Sequence, residues 1–247
     1  MKNTDLPIYE IEGALRAALR SFRRLIVQAP AGSGKSTQVP QMLLDGAMAG
    51  AGRIVVLQPR RLAARLLAKR VAEERGAPLG GEVGYQVRFE DFSCAQTRIQ
   101  FVTEGILLRR MLSNPGLDGV AAVLFDEFHE RHAYGDVSLA MALRLQETRR
   151  QDLLIGVMSA TPDPGPDARY LEPCAVLSSA GRMHAVEMRY LDAPGDPRRA
   201  PPVWEQAADA CERLLCAGEE GDGLVFMPGA YEIDRTVQAL RARPGIG

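Results

Sequence analysis

The chain has 247 residues, long for one domain and short for two large ones. Hydrophobic residues make up 46% and charged residues 25%, which excludes a disordered or fibrous chain and predicts a globular one with a substantial core. The net charge of −1 excludes a global field that would draw nucleic acid, so any such surface must be local.

The first 22 residues lack the apolar core of a signal peptide, and no run approaches membrane-spanning length. Short apolar runs then alternate with amphipathic stretches. Strands are predicted at 25–29, 53–58, 98–103, 121–126 and 153–159, and helices at 35–45, 61–75, 104–112 and 136–148. The strands are apolar almost throughout, which predicts a parallel α/β sheet covered by helices on both faces, with ligands at the carboxyl ends of the strands.

From about residue 162 the texture changes, with the Pro-rich stretches "TPDPGPD" and "LDAPGDPRRAPP" acting as turns. A strand is predicted at 185–191, a helix at 203–217, another strand at 223–229 and a last helix at 230–243. This divides the chain into a domain at 1–180, a connecting strand and linker at 181–200, and the start of a second α/β domain at 201–247. The four cysteines (Cys94, Cys174, Cys211, Cys216) have neither CxxC nor histidine-ligand spacing. They predict thiols in a reducing, cytoplasmic setting.

The stretch "LIVQAPAGSGKSTQVPQ" places a Gly-rich loop between a strand and a helix. Only three of the 30 basic residues are lysines, so the placing of Lys35 stands out. The pattern matches G-x-x-x-x-G-K-[ST] except that Ala29 holds its first position. Over Ala31, Gly32, Ser33, Gly34, Lys35, Ser36 and Thr37, backbone N–H groups and a helix N-terminus would cradle phosphates. Lys35 would reach the β- and γ-phosphates of ATP, and Ser36 would ligate Mg²⁺.

Residues 126–131 read "DEFHER" and follow the apolar run "VAAVLF". A phosphate-loop nucleotidase needs a carboxylate at a neighbouring strand end to hold Mg²⁺, partly through water, and a second group to orient or deprotonate the attacking water. Asp126 fits the first role and Glu127 the second. A zinc site is the competing reading, because Glu127, His129, Glu130 and His132 are close in sequence, but the histidines lack the i, i+4 spacing of H-E-x-x-H.

Six collinear stretches, "GSGKSTQVPQ", "QPRRLAA", "GYQVRFED", "TEGILLRR", "DEFHER" and "SAT", resemble the motifs of DEAH-type superfamily-2 helicases over roughly residues 13–229. Phe128 within the box resembles the bacterial HrpB-type helicases in particular. The resemblance implies two RecA-like domains that grip single-stranded nucleic acid, with Mg-ATP in the cleft between them; RNA is expected ahead of DNA as the partner, though the family contains both. It implies that His129 couples the ATP site to the second domain. Ser159 and Thr161 would link hydrolysis to strand separation, and Arg70 would stack on adenine. Arg60, Arg61, Thr103 and Gly105 would contact the strand. Arg70 also fits a solvated helix face, and Arg60 and Arg61 a solvated helix start.

The sequence departs from that pattern at His184–Ala185, where an aromatic–proline pair is usual, and at Pro162, where leucine is common. A Q-x-x-G-R-x-G-R segment is absent from these residues. On that basis the chain is expected to bind nucleotide, to hydrolyse it poorly alone and to depend on the missing second RecA-like domain. A nucleic-acid-binding scaffold without turnover is the alternative. A small-molecule kinase would leave "QPRR" and "TEG" without a role, and a transporter ATPase should carry an L-S-G-G-Q-like signature, which is missing.

Overall fold

The computed structural model describes residues 5–161, 164–181, 186–190, 200–218 and 221–243. The chain divides into two compact units, residues 1–184 and 185–247. In the first, a 3₁₀ turn at Pro7–Ile11 leads into α1 (Glu12–Ala18). Then follow β1 (Arg24–Gln28), α2 (Lys35–Asp45), β2 (Arg53–Gln58), α3 (Arg61–Glu74), β3 (Val83–Val87), β4 (Glu90–Phe92) and β5 (Ile99–Thr103). The unit continues through α4 (Glu104–Ser113), β6 (Val120–Phe125), α5 (Ala133–Thr148), β7 (Leu154–Ser159), α6 (Gly165–Leu171) and β8 (Ala175–Ser178).

Among the described residues the strands form one eight-stranded sheet in the order β4-β3-β5-β2-β6-β7-β1-β8. Every neighbouring pair is parallel except β3 and β4. The five predicted strands are its five central members. Successive side chains of a strand point to opposite faces, and both faces are dry. In β2, Ile54 and Val56 join the core under α1, α2 and α3, while Val55 and Leu57 join the core under α4, α5 and α6. Leu124 and Phe125 of β6 divide in the same way.

The departures from the predicted elements lie at the edges. β4 turns back antiparallel to β3 through Phe89 at φ 70°, so the sheet is mostly rather than wholly parallel. α1, β3, β4, β8 and α6 were not predicted: the helices are only two turns long, and the edge strands lack the continuous apolar run that marks the central ones. The hairpin is held by stacking of Tyr85 on Phe92, centroids 5.1 Å apart, and by the Arg65–Glu90 ion pair from α3.

The second unit contains α7 (Val203–Cys216) and α8 (Ala230–Arg241). Trp204 meets Tyr231 edge to face at 5.7 Å, and Arg235 lies over the Trp204 ring. Arg243 reaches Asp209, Glu212 and Glu205 of α7. The predicted strand at 223–229 does not form: residues 222–227 have no regular structure, and Leu224 and Phe226 are exposed. A strand needs a ladder partner, and none stands beside this run among the described residues. The described part of the predicted strand at 185–191 is likewise irregular, while its residues 185 and 191, with Pro162 and His184, lie outside the described residues.

Gly84 of β3 fixes how closely β4 can approach, since a Cβ there would lie 2.2 Å from the Phe92 carbonyl oxygen. Gly84→Ala is expected to displace β4 and destabilise the first unit by about 1–3 kcal/mol. Denaturant unfolding checks this, and an unchanged midpoint would show that the hairpin gives way without cost.

Candidate nucleotide site and strand-contact surface

The predicted site residues gather where five adjacent strands end. The carboxyl ends of β5, β2, β6, β7 and β1 deliver Thr103, Gln58 with Arg60 and Arg61, Asp126, Ser159, and the phosphate loop, in that spatial order. Register matches the ends: Gln58 lies opposite Thr103, and Gln28 opposite Ser159.

After β1 the chain cannot continue straight. Gly32 and Gly34 take φ of 77° and 93°, a left-handed backbone that glycine adopts without a Cβ penalty, and Gly34 then caps α2. Nothing in the chain lies within 4 Å of a Cβ built on Gly32, so the loop surface there is open to a ligand. Gly34 is instead packed from below by Leu6 and Ile8, and the Ile8 N–H donates to the Ser33 carbonyl (3.2 Å). Lys35 is only 3% exposed, and its Nζ meets Glu127 Oε1 at 3.1 Å.

Asp126 is 4% exposed. Burial pushes its carboxyl above the ordinary range; the Ser36 hydroxyl opposes that shift, the Glu127 charge adds to it, and Lys35 and Gln58 oppose it. Gln58 donates to Asp126 Oδ2, and the Glu127 N–H donates to Asp126 Oδ1 (3.0 Å). Glu127 itself sits at φ 50°, a left-handed conformation uncommon for a side-chain-bearing residue and enriched at functional sites. Its second oxygen lies 3.5 Å from His129 Nδ1, which in turn accepts from the Ala160 N–H (3.4 Å). Ser159 and Thr161 share a hydroxyl–hydroxyl bond of 2.8 Å, and Gln28 donates to the Thr161 carbonyl. A continuous polar path therefore runs from Lys35 through Glu127 and His129 to the end of β7.

The donor set fits a magnesium nucleotide. A buried lysine with one carboxylate partner, a carboxylate whose ionisation is opposed by burial, and a serine hydroxyl bonded to it are the charges that a polyphosphate and a hard cation would satisfy. Ser36 and Asp126 are the residues that would hold the cation. Among the described residues no group of three or more His, Cys, Asp and Glu side chains is placed to hold a metal ion.

Arg70 lies exposed on α3 and donates to Glu74 (2.7 Å). Although burial opposes it, bonds from Gln38, Gln41 and Arg70 hold the Glu74 carboxyl below its usual range. Arg70 is thus tied through Glu74 to the phosphate-loop helix. Arg60 and Arg61 are both exposed at the start of α3. Thr103 precedes α4, and Gly105 is exposed with open space around its Cα.

Three features escaped sequence reasoning. Gln58 is buried against Asp126, and its signal was an amide ending an otherwise apolar strand. The Glu130 carboxylate receives Arg60 (2.9 Å), and His132 stands between Glu130 (3.8 Å) and Glu104 (3.2 Å). This chain joins "QPRR", "DEFHER" and "TEG", and no spacing within any one motif announces it.

The DEAD/DEAH box helicase family model matches residues 11–168. Over 242 residues the chain is 38% identical to the ATP-dependent RNA helicase HrpB of Escherichia coli (strain K12), covering 98% of this chain and 29% of that protein. It is 34% identical over 249 residues to "Probable ATP-dependent RNA helicase DHX35" of Homo sapiens, covering 95% of this chain and 34% of that protein. A crystal structure of the Escherichia coli DEAH/RHA helicase HrpB matches 97% of this chain and 30% of that one, with a TM-score of 0.87 and 38% identity. The chain thus spans 29% to 34% of the length of these curated relatives.

Two consequences can be measured. A carboxyl whose folded pKa is raised binds its proton more tightly in the folded state. Its ionisation therefore costs stability above the folded pKa, and the cost disappears as pH falls below the unfolded value. Asp126→Asn is expected to raise the melting temperature of the metal-free protein at neutral pH, with a gain that shrinks through the acid range; a lower melting temperature at neutral pH would refute this. Glu130→Gln releases Arg60 and removes a negative charge from the same surface. If this surface holds a nucleic-acid backbone, its affinity for single-stranded RNA should rise about two- to fivefold, the scale of an exposed ion pair, and unchanged or weaker binding in a fluorescence anisotropy titration would count against it.

Proposed function

The chain belongs to the DEAD/DEAH box helicase family, and from that premise we propose that it binds Mg-ATP at its phosphate loop and couples hydrolysis to movement on, or unwinding of, single-stranded nucleic acid, RNA in preference to DNA. The Lys35–Glu127 ion pair carries this reading. It brings two groups that would act on the terminal phosphate within 3.1 Å of each other, beside the phosphate loop. A triphosphate would draw Lys35 to its β- and γ-oxygens and free Glu127 to accept the proton of the attacking water. Magnesium, held through the Ser36 hydroxyl and the Asp126 carboxylate, would supply neutralisation of the charge that develops on the phosphates.

His129 would relay a change at Glu127 to the end of β7, a role that its contacts with Glu127 and the Ala160 N–H support. Ser159 and Thr161 there would pass it to the strand-separating parts. Arg60, Arg61, Thr103 and Gly105 would grip the sugar–phosphate backbone from the ends of β2 and β5, contacts that hold a strand without reading its sequence. Arg70 would stack on the adenine.

These 247 residues contain no Q-x-x-G-R-x-G-R segment, and in related nucleotidases an arginine finger is worth about 10³–10⁵ in turnover. The proposal therefore has hydrolysis at the phosphate loop depend on groups that a second RecA-like domain supplies. A nucleotide-dependent scaffold without turnover is the second reading that the same observation favours.

The test is Mg-ATP binding and turnover with and without single-stranded RNA or DNA, beside Lys35→Ala. Lys35→Ala should weaken nucleotide binding on the order of 10- to 100-fold, the cost of a charge-assisted contact left unmade. Turnover that RNA stimulates supports the motor; turnover that stays absent when a second RecA-like domain is supplied in trans supports the scaffold. Nucleotide affinity indifferent to Lys35→Ala would overturn both.

A further inference from the structure

At the opposite edge of the sheet from the phosphate loop, three arginines converge on one cavity. Arg53 opens β2, Arg98 immediately precedes β5, and Arg110 lies near the end of α4, which runs back toward the amino ends of the strands. The cavity measures about 510 Å³, and its walls include Thr97, Asn114 and Asp118 beside the three arginines. Its size falls in the roughly 300–1,000 Å³ range of small-ligand sites.

The hydrogen bonding leaves a positive charge uncompensated. Arg53 and Arg110 both donate to the same oxygen, Gln100 Oε1, at 3.0 and 2.9 Å, and Gln100 is 1% exposed. The other acceptors are neutral too. Arg53 donates to the carbonyls of Thr97 and Cys94, Arg98 to those of Gly52 and Gly50, and Arg110 to the Gln86 amide. Several other arginines of this unit, among them Arg24, Arg65, Arg75 and Arg150, meet a carboxylate instead.

Two acidic groups stand near. Asp91 accepts from Ser93 (2.5 Å), and Asp118 lies on the exposed rim. Burial first, and then the charge of Arg53, make protonated Arg110 harder to hold, while Asp91 only partly offsets them. Structural roles for Arg53 and Arg98 in pinning neighbouring loops explain their positions. They do not explain why two guanidinium groups share one buried neutral oxygen, where like charges repel strongly.

We propose that this cavity is an anion site for a small phosphorylated ligand, its phosphate taken by Arg53, Arg98 and Arg110. Three planar forks offer more charge and more donors than one carboxylate can use, and a phosphate dianion or polyphosphate matches them. The walls carry no aromatic ring on which a base could stack, so the phosphate and not a nucleobase is what the site recognises.

The test uses pyrophosphate as probe, titrated by calorimetry at constant ionic strength into the Lys35→Ala chain, in which the phosphate loop is weakened as a competing site. Binding is expected, with Arg110→Gln weakening it at least about tenfold and Asp118→Asn strengthening it by removing rim repulsion. Succinate should bind more weakly than pyrophosphate. Absent binding, or affinity unmoved by Arg110→Gln, would overturn the site; should Arg110→Gln fail to fold, no gain in Asp118→Asn would do so. Competition by single-stranded RNA that Arg110→Gln abolishes would replace the small ligand with a nucleic-acid backbone. Because every arm carries Lys35→Ala, failure here leaves the reading of the phosphate loop untouched.

Discussion

A parallel sheet buried on both faces can hold charge only where its strands stop. Within β1, β2, β5, β6 and β7 almost every side chain enters one of two dry cores, and an ion there would lose its hydration without return. Charge is therefore driven to the two edges of the sheet. At the carboxyl edge it meets loops and helix starts with unsatisfied N–H groups, a setting made for anions. Everything that the chain can do to a nucleotide or a strand depends on this sorting.

The carboxyl edge is held in an unsatisfied state. Lys35 is buried against Glu127, Asp126 is buried with only uncharged donors and a neighbouring lysine to steady it, and Glu127 occupies a left-handed backbone. Each of these features costs stability in the protein alone, and a phosphate or a cation would offset the burial of charge at Lys35 and Asp126. The core beneath supplies the rigidity that keeps them in place. Leu6 and Ile8 under Gly34, and Phe125 edge-on to Phe128, are examples of that support.

The strand-contact surface is wired differently. Arg60 is paired with Glu130, and Glu130 reaches His132, which reaches Glu104. These are exposed or half-exposed contacts, individually weak and easily exchanged. A phosphate arriving at Arg60 would compete with Glu130, only three residues beyond Glu127. The amino edge, where Arg53 and Arg110 share Gln100 and Arg98 holds the Gly50 and Gly52 carbonyls, shows the same sorting of charge with neutral hydrogen-bond acceptors.

The five central strands were legible because burial on both faces leaves runs apolar enough to read, and the phosphate loop was legible because backbone geometry demands glycine at positions 32 and 34. Asp126 and Glu127 were legible as charge at the end of such a run. The hairpin of β3 and β4, the strand β8 and the helix α6 were not, since short edge elements owe their form to neighbours rather than to a periodic pattern of their own. The run at 223–229 shows the converse, a strand-like sequence with no ladder beside it among the described residues. Sequence alone determined which residues could serve a phosphate, because that depends on residue type and local backbone. Only tertiary structure decided that Gln58 would touch Asp126, that Glu130 would hold Arg60, and that two arginines 57 residues apart in the chain would meet on one amide. Those pairings follow from strand order and register, which local sequence does not encode.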